Sequence, residues 1–201
     1  MSSPTVGDRR KLKRIGRYLV GRPRVVSSYP WQAERGTIDV YSDANWAGCS
    51  RTARSTSGGT VMHGTHFLKS WSTTQKNITL SSGEAELVAA VKAAVEAIGL
   101  TRLAFDWGDS VEASVQVDSS AAIGVSSRRG SGKLRHIKVG HLWIQEMAEE
   151  GEIRVRKVLG DENPADLMTK HLVERNVSQL MQVMGFEFRH GRADTSLQLT
   201  S

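Results

Sequence analysis

The chain has 201 residues, 39% of them hydrophobic and 24% charged, a balance that suits a globular protein with a sizeable core. No apolar run approaches a membrane span, no signal-peptide core opens the chain, and a single cysteine, Cys49, excludes an internal disulfide. An intracellular chain, cytoplasmic or nuclear and neither secreted nor membrane-bound, is therefore expected, and a net charge of +6 points to a polyanionic partner.

The first 31 residues are dominated by base: Arg9, Arg10, Lys11, Lys13, Arg14, Arg17, Arg22 and Arg24. Leu12, Ile15, Tyr18 and Leu19 recur at helical spacing, which predicts an amphipathic helix over residues 8–20, ended by Gly21 and Pro23. Next comes T-I-D-V-Y-S-D-A-N-W-A-G, where Ile38, Val40 and Tyr41 read as a strand with Asp43 at its end. Residues 58–68 and 67–72 read as two further strands joined around Gly64, giving an antiparallel meander with His63 and His66 exposed near the turn.

Residues 81–100 carry the clearest helical signal, with Ser81 and Glu84 spaced as a capping box over an alanine-rich run. Leu87, Val88, Val91, Val95 and Ile98 form one apolar stripe; Ala90, Ala93 and Ala97 form a second, thin face in line with Glu86. Residues 111–117 read as a strand ending in Asp118, followed by a helix from Ser119, a succession that predicts a parallel strand. The segment S-S-R-R-G-S-G-K-L-R-H-I-K is basic and glycine-rich, so Arg128, Arg129, Lys133 and Arg135 are candidates for tracking phosphates. A helix over residues 136–150, a strand around Ile153, Val155 and Val158, a helix opened by Asn163-Pro164-Ala165-Asp166 and another over 173–184 complete the chain. The polar tail from Arg189 is expected to be disordered.

Asp43, Glu86, Asp118 and Asp166 each have an ordinary role when taken singly: turn residue, solvated helix residue, helix cap and first-turn acid. Together they are two strand ends and two first turns of helices, places that converge at one edge of a sheet. Oxygen-only ligands suit hard cations such as Mg²⁺ or Mn²⁺. Two such ions about 4 Å apart support phosphodiester cleavage.

The strings S-D-A-N-W-A-G, S-T-S-G-G, L-K-S-W-S-T-T-Q-K, L-S-S-G-E-A-E-L-V-A-A, V-D-S-S-A-A-I, L-R-H-I-K-V and N-P-A-D-L-M-T-K occur here in this order. In that order they resemble the ribonuclease H region of copia-type retrotransposon Pol polyproteins, over residues 37–172. The segment L-K-R-I-G-R-Y-L-V-G is similar to the extreme end of the preceding reverse transcriptase. The resemblance implies an α/β, ribonuclease H-like fold: a mixed five-stranded sheet of order 3-2-1-4-5 flanked by helices. Residues 1–36 would then be a basic helical arm, 37–172 the ribonuclease H-like domain, and 173–201 a C-terminal helix and tail.

The resemblance also implies a metal-dependent endonuclease that cleaves the RNA strand of RNA–DNA hybrids, with two Mg²⁺ or Mn²⁺ ions held by Asp43, Glu86, Asp118 and Asp166. Asn45, Ser82, Gly83 and Ser119 neighbour these acids and are candidates for contacts with the 2′-hydroxyls that distinguish RNA. The family usually carries a second acid at Asn45, asparagine at Ser119, an aromatic at Gly59, aspartate at Lys138 and histidine at Leu142. None of these departures removes one of the acids. Two alternatives stand beside this reading: a catalytically weak nucleic-acid-binding remnant, and an integrase-like polynucleotidyl transferase of the same fold.

Overall fold

Residues 3–130, 139–191 and 193 are described by the structure, a computed structural model. In chain order the elements are α1 (Val6–Gly21), β1 (Arg24–Ser27), β2 (Thr37–Asn45), β3 (Thr56–His63), β4 (His66–Thr74), α2 (Ser82–Asp106), β5 (Glu112–Val117), α3 (Ser120–Ser126), α4 (Trp143–Glu149), β6 (Ile153–Lys157), α5 (Glu174–Val183) and β7 (Phe186–Arg189). Short 3-10 turns lie at Val139–His141, Gly160–Glu162 and Pro164–Met168. Among the described residues no helix is long and apolar enough to cross a membrane.

Chain contacts divide the protein into a larger unit, Tyr29–Gly185, and a smaller one formed by the segments before and after it. In the smaller unit α1 starts at a capping box: the Thr5 hydroxyl accepts from the Asp8 N–H, and the Asp8 carboxylate accepts from the Thr5 N–H. Its stripe of Leu12, Ile15, Tyr18 and Leu19 is exposed. β1 and β7 pair antiparallel, Arg24 opposite Arg189 and Ser27 opposite Phe186, and the Arg22 guanidinium lies over the Phe188 ring. Neither strand is predicted from local pattern, because each has four residues and its partner lies at the far end of the chain.

The larger unit is built on a five-stranded sheet in the order β4-β3-β2-β5-β6. The β2–β3 and β3–β4 pairs are antiparallel, and β2–β5 and β5–β6 are parallel. Counted from β2, this is the expected 3-2-1-4-5 mixed sheet. Parallel neighbours need a crossover, supplied by α2 between β4 and β5 and by α3 and α4 between β5 and β6. Val40, Val61, Leu87, Val115, Val117, Ile144 and Ile153 form the core with the alanines of α2.

Ala89, Ala90, Ala93, Ala94 and Ala97 are fully buried, so the thin face of α2 is the one pressed on the sheet. The other stripe divides: Leu87 and Ile98 are buried, but Val95 faces solvent. α2 runs past Leu100 to Asp106, and the turn behind it uses Gly108 at φ +88°.

Several local expectations change in the folded chain. β2 continues past Asp43 to Asn45 because β3 pairs with it that far. His63 and His66 are tied down rather than free at a turn: their Nε2–H groups donate to the carbonyls of Arg35 and Pro30, and Gln32 donates to the His63 carbonyl. They clasp the segment that leads into β2. The helix expected over residues 136–150 is described only from Val139, as a 3-10 turn followed by α4; the rest, with Lys133, Arg135 and Lys138, lies outside the described residues. The indole of Trp71 covers Gly59 so closely that a Cβ there would overlap the ring, which leaves no room for the family's aromatic at that position.

Gly58 has a positional role. A Cβ on it would come 2.6 Å from Thr169 Cγ2, 2.7 Å from Met168 Cβ and 3.0 Å from the Ala165 carbonyl. The 3-10 segment that carries Asp166 therefore lies directly on β3, opposite Asp43 in the strand register. Gly58→Ala is expected to lift that segment and cost about 1–3 kcal/mol, the usual range for overpacking. Thermal denaturation checks this: the melting temperature falls, by roughly 2–4 °C per kcal/mol for a chain of this size.

Candidate active site

Asp43 lies in β2, the central strand of the sheet, and is fully buried. The next residue, Ala44, packs against Ala85 and Ala89 of α2. Small side chains on both partners bring the start of α2 onto β2, where the Ala44 backbone N–H acts to lower the pKa of Glu86. Asp118 follows β5, whose Val117 pairs in parallel with Ser42, so it emerges beside Asp43. Asp43, Glu86 and Asp118 each offer a carboxylate oxygen within 4.8 Å of the other two.

Asp166 reaches the same place on another element. Asn163 is buried, caps the 3-10 turn by accepting from the Ala165 N–H, and donates to the Ser42 carbonyl at 3.0 Å. This pins the turn to β2 beside Asp43. The Asp166 carboxylate then accepts from Lys170 Nζ at 2.8 Å, and the same ammonium donates to Asp43 Oδ1 at 2.9 Å. The Thr169 hydroxyl donates to the other Asp43 oxygen. Lys170 and Thr169 are the site residues that the acid pattern alone misses; their signal is the T-K that closes N-P-A-D-L-M-T-K.

The electrostatics are those of acids crowded out of water. Burial, then the charges of Asp43 and Asp118, push Glu86 up to about 8 from its ordinary 4.5. Burial, then Asp43, raises Asp118. Asp166 is raised to about 6 chiefly by burial, against the opposing hydrogen bond from Lys170. Burial works against the charge on Lys170, but its bonds to Asp166 and Asp43 prevail and raise its pKa. Glu86 Oε2 is buried with no hydrogen-bond partner, which is costly unless a cation lies against it. Three converging carboxylates with one orphaned oxygen are an all-oxygen donor set that fits a hard divalent ion.

The residues named as candidates for nucleic-acid contact are placed less uniformly. Asn45 donates to the Thr169 carbonyl at 3.2 Å, tying β2 to the Asp166 segment. Ser119 caps α3, accepting from the Ala122 N–H. A Cβ on Gly83 would come 3.1 Å from Ala121, so this glycine serves the approach of α3 to α2. Ser82 is exposed in the first turn of α2. Arg128 and Arg129 are exposed, with Arg129 paired to Glu149. Lys133 and Arg135 lie outside the described residues.

A mixed sheet of order 3-2-1-4-5 with carboxylates gathered beside its central strand defines a ribonuclease H-like domain. Among solved structures, LC11-RNase H1, isolated from compost by a metagenomic approach, superposes with a TM-score of 0.51 at 16% identity, covering 73% of this chain and 99% of that one. The retrovirus-related Pol polyprotein of transposon TNT 1-94 from Nicotiana tabacum is 34% identical over 142 residues, 70% of this chain and 11% of that protein. The corresponding polyprotein of transposon RE1 from Arabidopsis thaliana is 29% identical over 183 residues, 86% of this chain and 12% of that protein. No protein-family model matches. The homologues of this chain are thus retrovirus-related Pol polyproteins of copia-type transposons, and the matched part carries a ribonuclease H-like fold; the chain spans about a tenth of their length.

Proposed function

We propose that this chain is a metal-dependent endonuclease that cleaves the RNA strand of RNA–DNA hybrids. The observation that carries the reading is the convergence of carboxylate oxygens of Asp43, Glu86 and Asp118 from three separate elements, with one Glu86 oxygen buried and without a hydrogen-bond partner. These residues, with Asp166, would hold Mg²⁺ or Mn²⁺. Bound divalent ions would supply activation of water and stabilisation of the leaving oxygen. The chain's own part is to hold the acids in register. Asn163 and Asn45 fix the Asp166 segment to β2, and the packing of Ala44 on Ala85 and Ala89 holds the start of α2, which carries Glu86, against β2.

The net charge of +6 supplies attraction for the phosphate backbone, with Arg128 and Arg129 as candidate contacts. Ser82, exposed beside Glu86, is the candidate with the freest side chain for a 2′-hydroxyl. An origin within a polyprotein that also holds a reverse transcriptase is part of the same proposal.

Labelled RNA–DNA hybrid, double-stranded DNA and double-stranded RNA, each with and without Mg²⁺, test it. The expected result is cleavage of the RNA strand of the hybrid alone, and only with metal. Hybrid binding without cleavage would favour a catalytically weak remnant, and joining of DNA strands an integrase-like transferase.

A further inference from the structure

The acidic site is not symmetric. On one side Asp43, Glu86 and Asp118 each bring a carboxylate oxygen within 4.8 Å of the other two. On the other, the Lys170 ammonium lies between Asp43 and Asp166, 2.9 and 2.8 Å from an oxygen of each. We propose that Lys170 is a resident cation of this site: in the free protein it fills the Asp43–Asp166 edge, so that one divalent ion binds at the Asp43–Glu86–Asp118 edge and a second enters only when the ammonium leaves. The inference rests on the reading of the site as a divalent-metal centre.

The packing around Lys170 separates a fixed backbone from a movable side chain. Ser72 donates to the Met168 carbonyl and Asn45 to the Thr169 carbonyl, while the Thr169 hydroxyl reaches Asp43. The chain is clamped up to the residue before Lys170. The Lys170 side chain itself is 38% exposed, against 1% for Asp43. A four-carbon stem with a compact charge at its tip can therefore leave the carboxylates for a phosphate oxygen without moving the segment that holds Asp166. While it stays, it neutralises repulsion between two acids and uses one oxygen of each as an acceptor. A second ion would have to compete for those same oxygens.

Titration with Mn²⁺ in the absence of nucleic acid, followed by the electron paramagnetic resonance of the free ion, tests this on wild type, Lys170→Met and Lys170→Arg. Wild type and Lys170→Arg are expected to bind one Mn²⁺ per chain, and Lys170→Met two, because only the charge blocks the second position. Equal stoichiometry in wild type and Lys170→Met overturns the role of Lys170 while leaving the metal centre standing. No Mn²⁺ bound by wild type overturns both. Should Lys170→Met fail to fold, the wild-type protein decides: the ¹⁵N–¹H resonance of the Lys170 ammonium persists after one equivalent of Mg²⁺, and its loss with that first equivalent overturns the proposal.

Discussion

Asp43→Asn is expected to abolish Mg²⁺-dependent cleavage of the hybrid while leaving the protein folded. Asp43 is the one acid shared by both halves of the site: it belongs to the three-carboxylate group and also receives Lys170 and Thr169. Asparagine keeps the shape and one acceptor oxygen but removes the negative charge that both edges use. Replacing even an outer partner of a metal centre costs 10–100-fold, so loss of this acid should exceed about a hundredfold. Stability changes in two opposing ways: the pairing with Lys170 weakens, and the repulsion that raises Glu86 and Asp118 is relieved. The cleavage rate and the melting curve, measured side by side, check this. Wild-type cleavage by Asp43→Asn would sink the nuclease assignment.

Glu86→Gln should be as inactive as Asp43→Asn, and Glu84→Gln close to wild type. The capping-box spacing of Ser81 and Glu84 predicts that Glu84 reaches back to the N–H of the cap itself. The structure corrects this: Glu84 is 8% exposed, and its Oε2 accepts from the Leu80 N–H, one residue before the Ser81 cap. Ser81 completes its half, accepting from the Glu84 N–H at 3.2 Å. Glutamine retains an acceptor for Leu80, so the helix start should survive.

Glu86→Gln carries a second signature, in stability. Glu86 holds its proton up to about 8 in the folded protein but releases it near 4.5 in the unfolded chain. The folded state thus binds more protons across that window, and its stability falls as pH rises from about 4.5 through about 8. Without metal, wild type should show this fall up to about 8; Glu86→Gln, a neutral mimic of the protonated acid, should lose its upper part and keep the fall that the raised Asp166 causes up to about 6. Melting curves in a chelator across this pH range measure the difference. Identical pH profiles, or an active Glu86→Gln, would show that the wrong acid has been placed at the site.

Local pattern carried much of this protein. Ser81 with the alanine run predicts α2 because caps and small-residue faces are properties of neighbours along one helix. The hairpin around Gly64 and the β5–Asp118–Ser119 succession are legible for the same reason: turn chemistry and alternation act over a few residues. The ordered motifs reach further than pattern, and through resemblance they imply the sheet order that pairing confirms.

Only the tertiary structure decided how distant pieces meet. Lys170 binds an acid 127 residues away, and Asn163 a carbonyl 121 residues away. Gly58 matters because another segment lies on it, and Trp71 explains Gly59 only once β3 and β4 are paired. The strands β1 and β7 exist through each other. Composition and periodicity report the energetics of a residue with its chain neighbours. Charge pairing, steric clearance and burial such as that of Glu84 depend on what lies across the fold, and that is set when the sheet closes around α2.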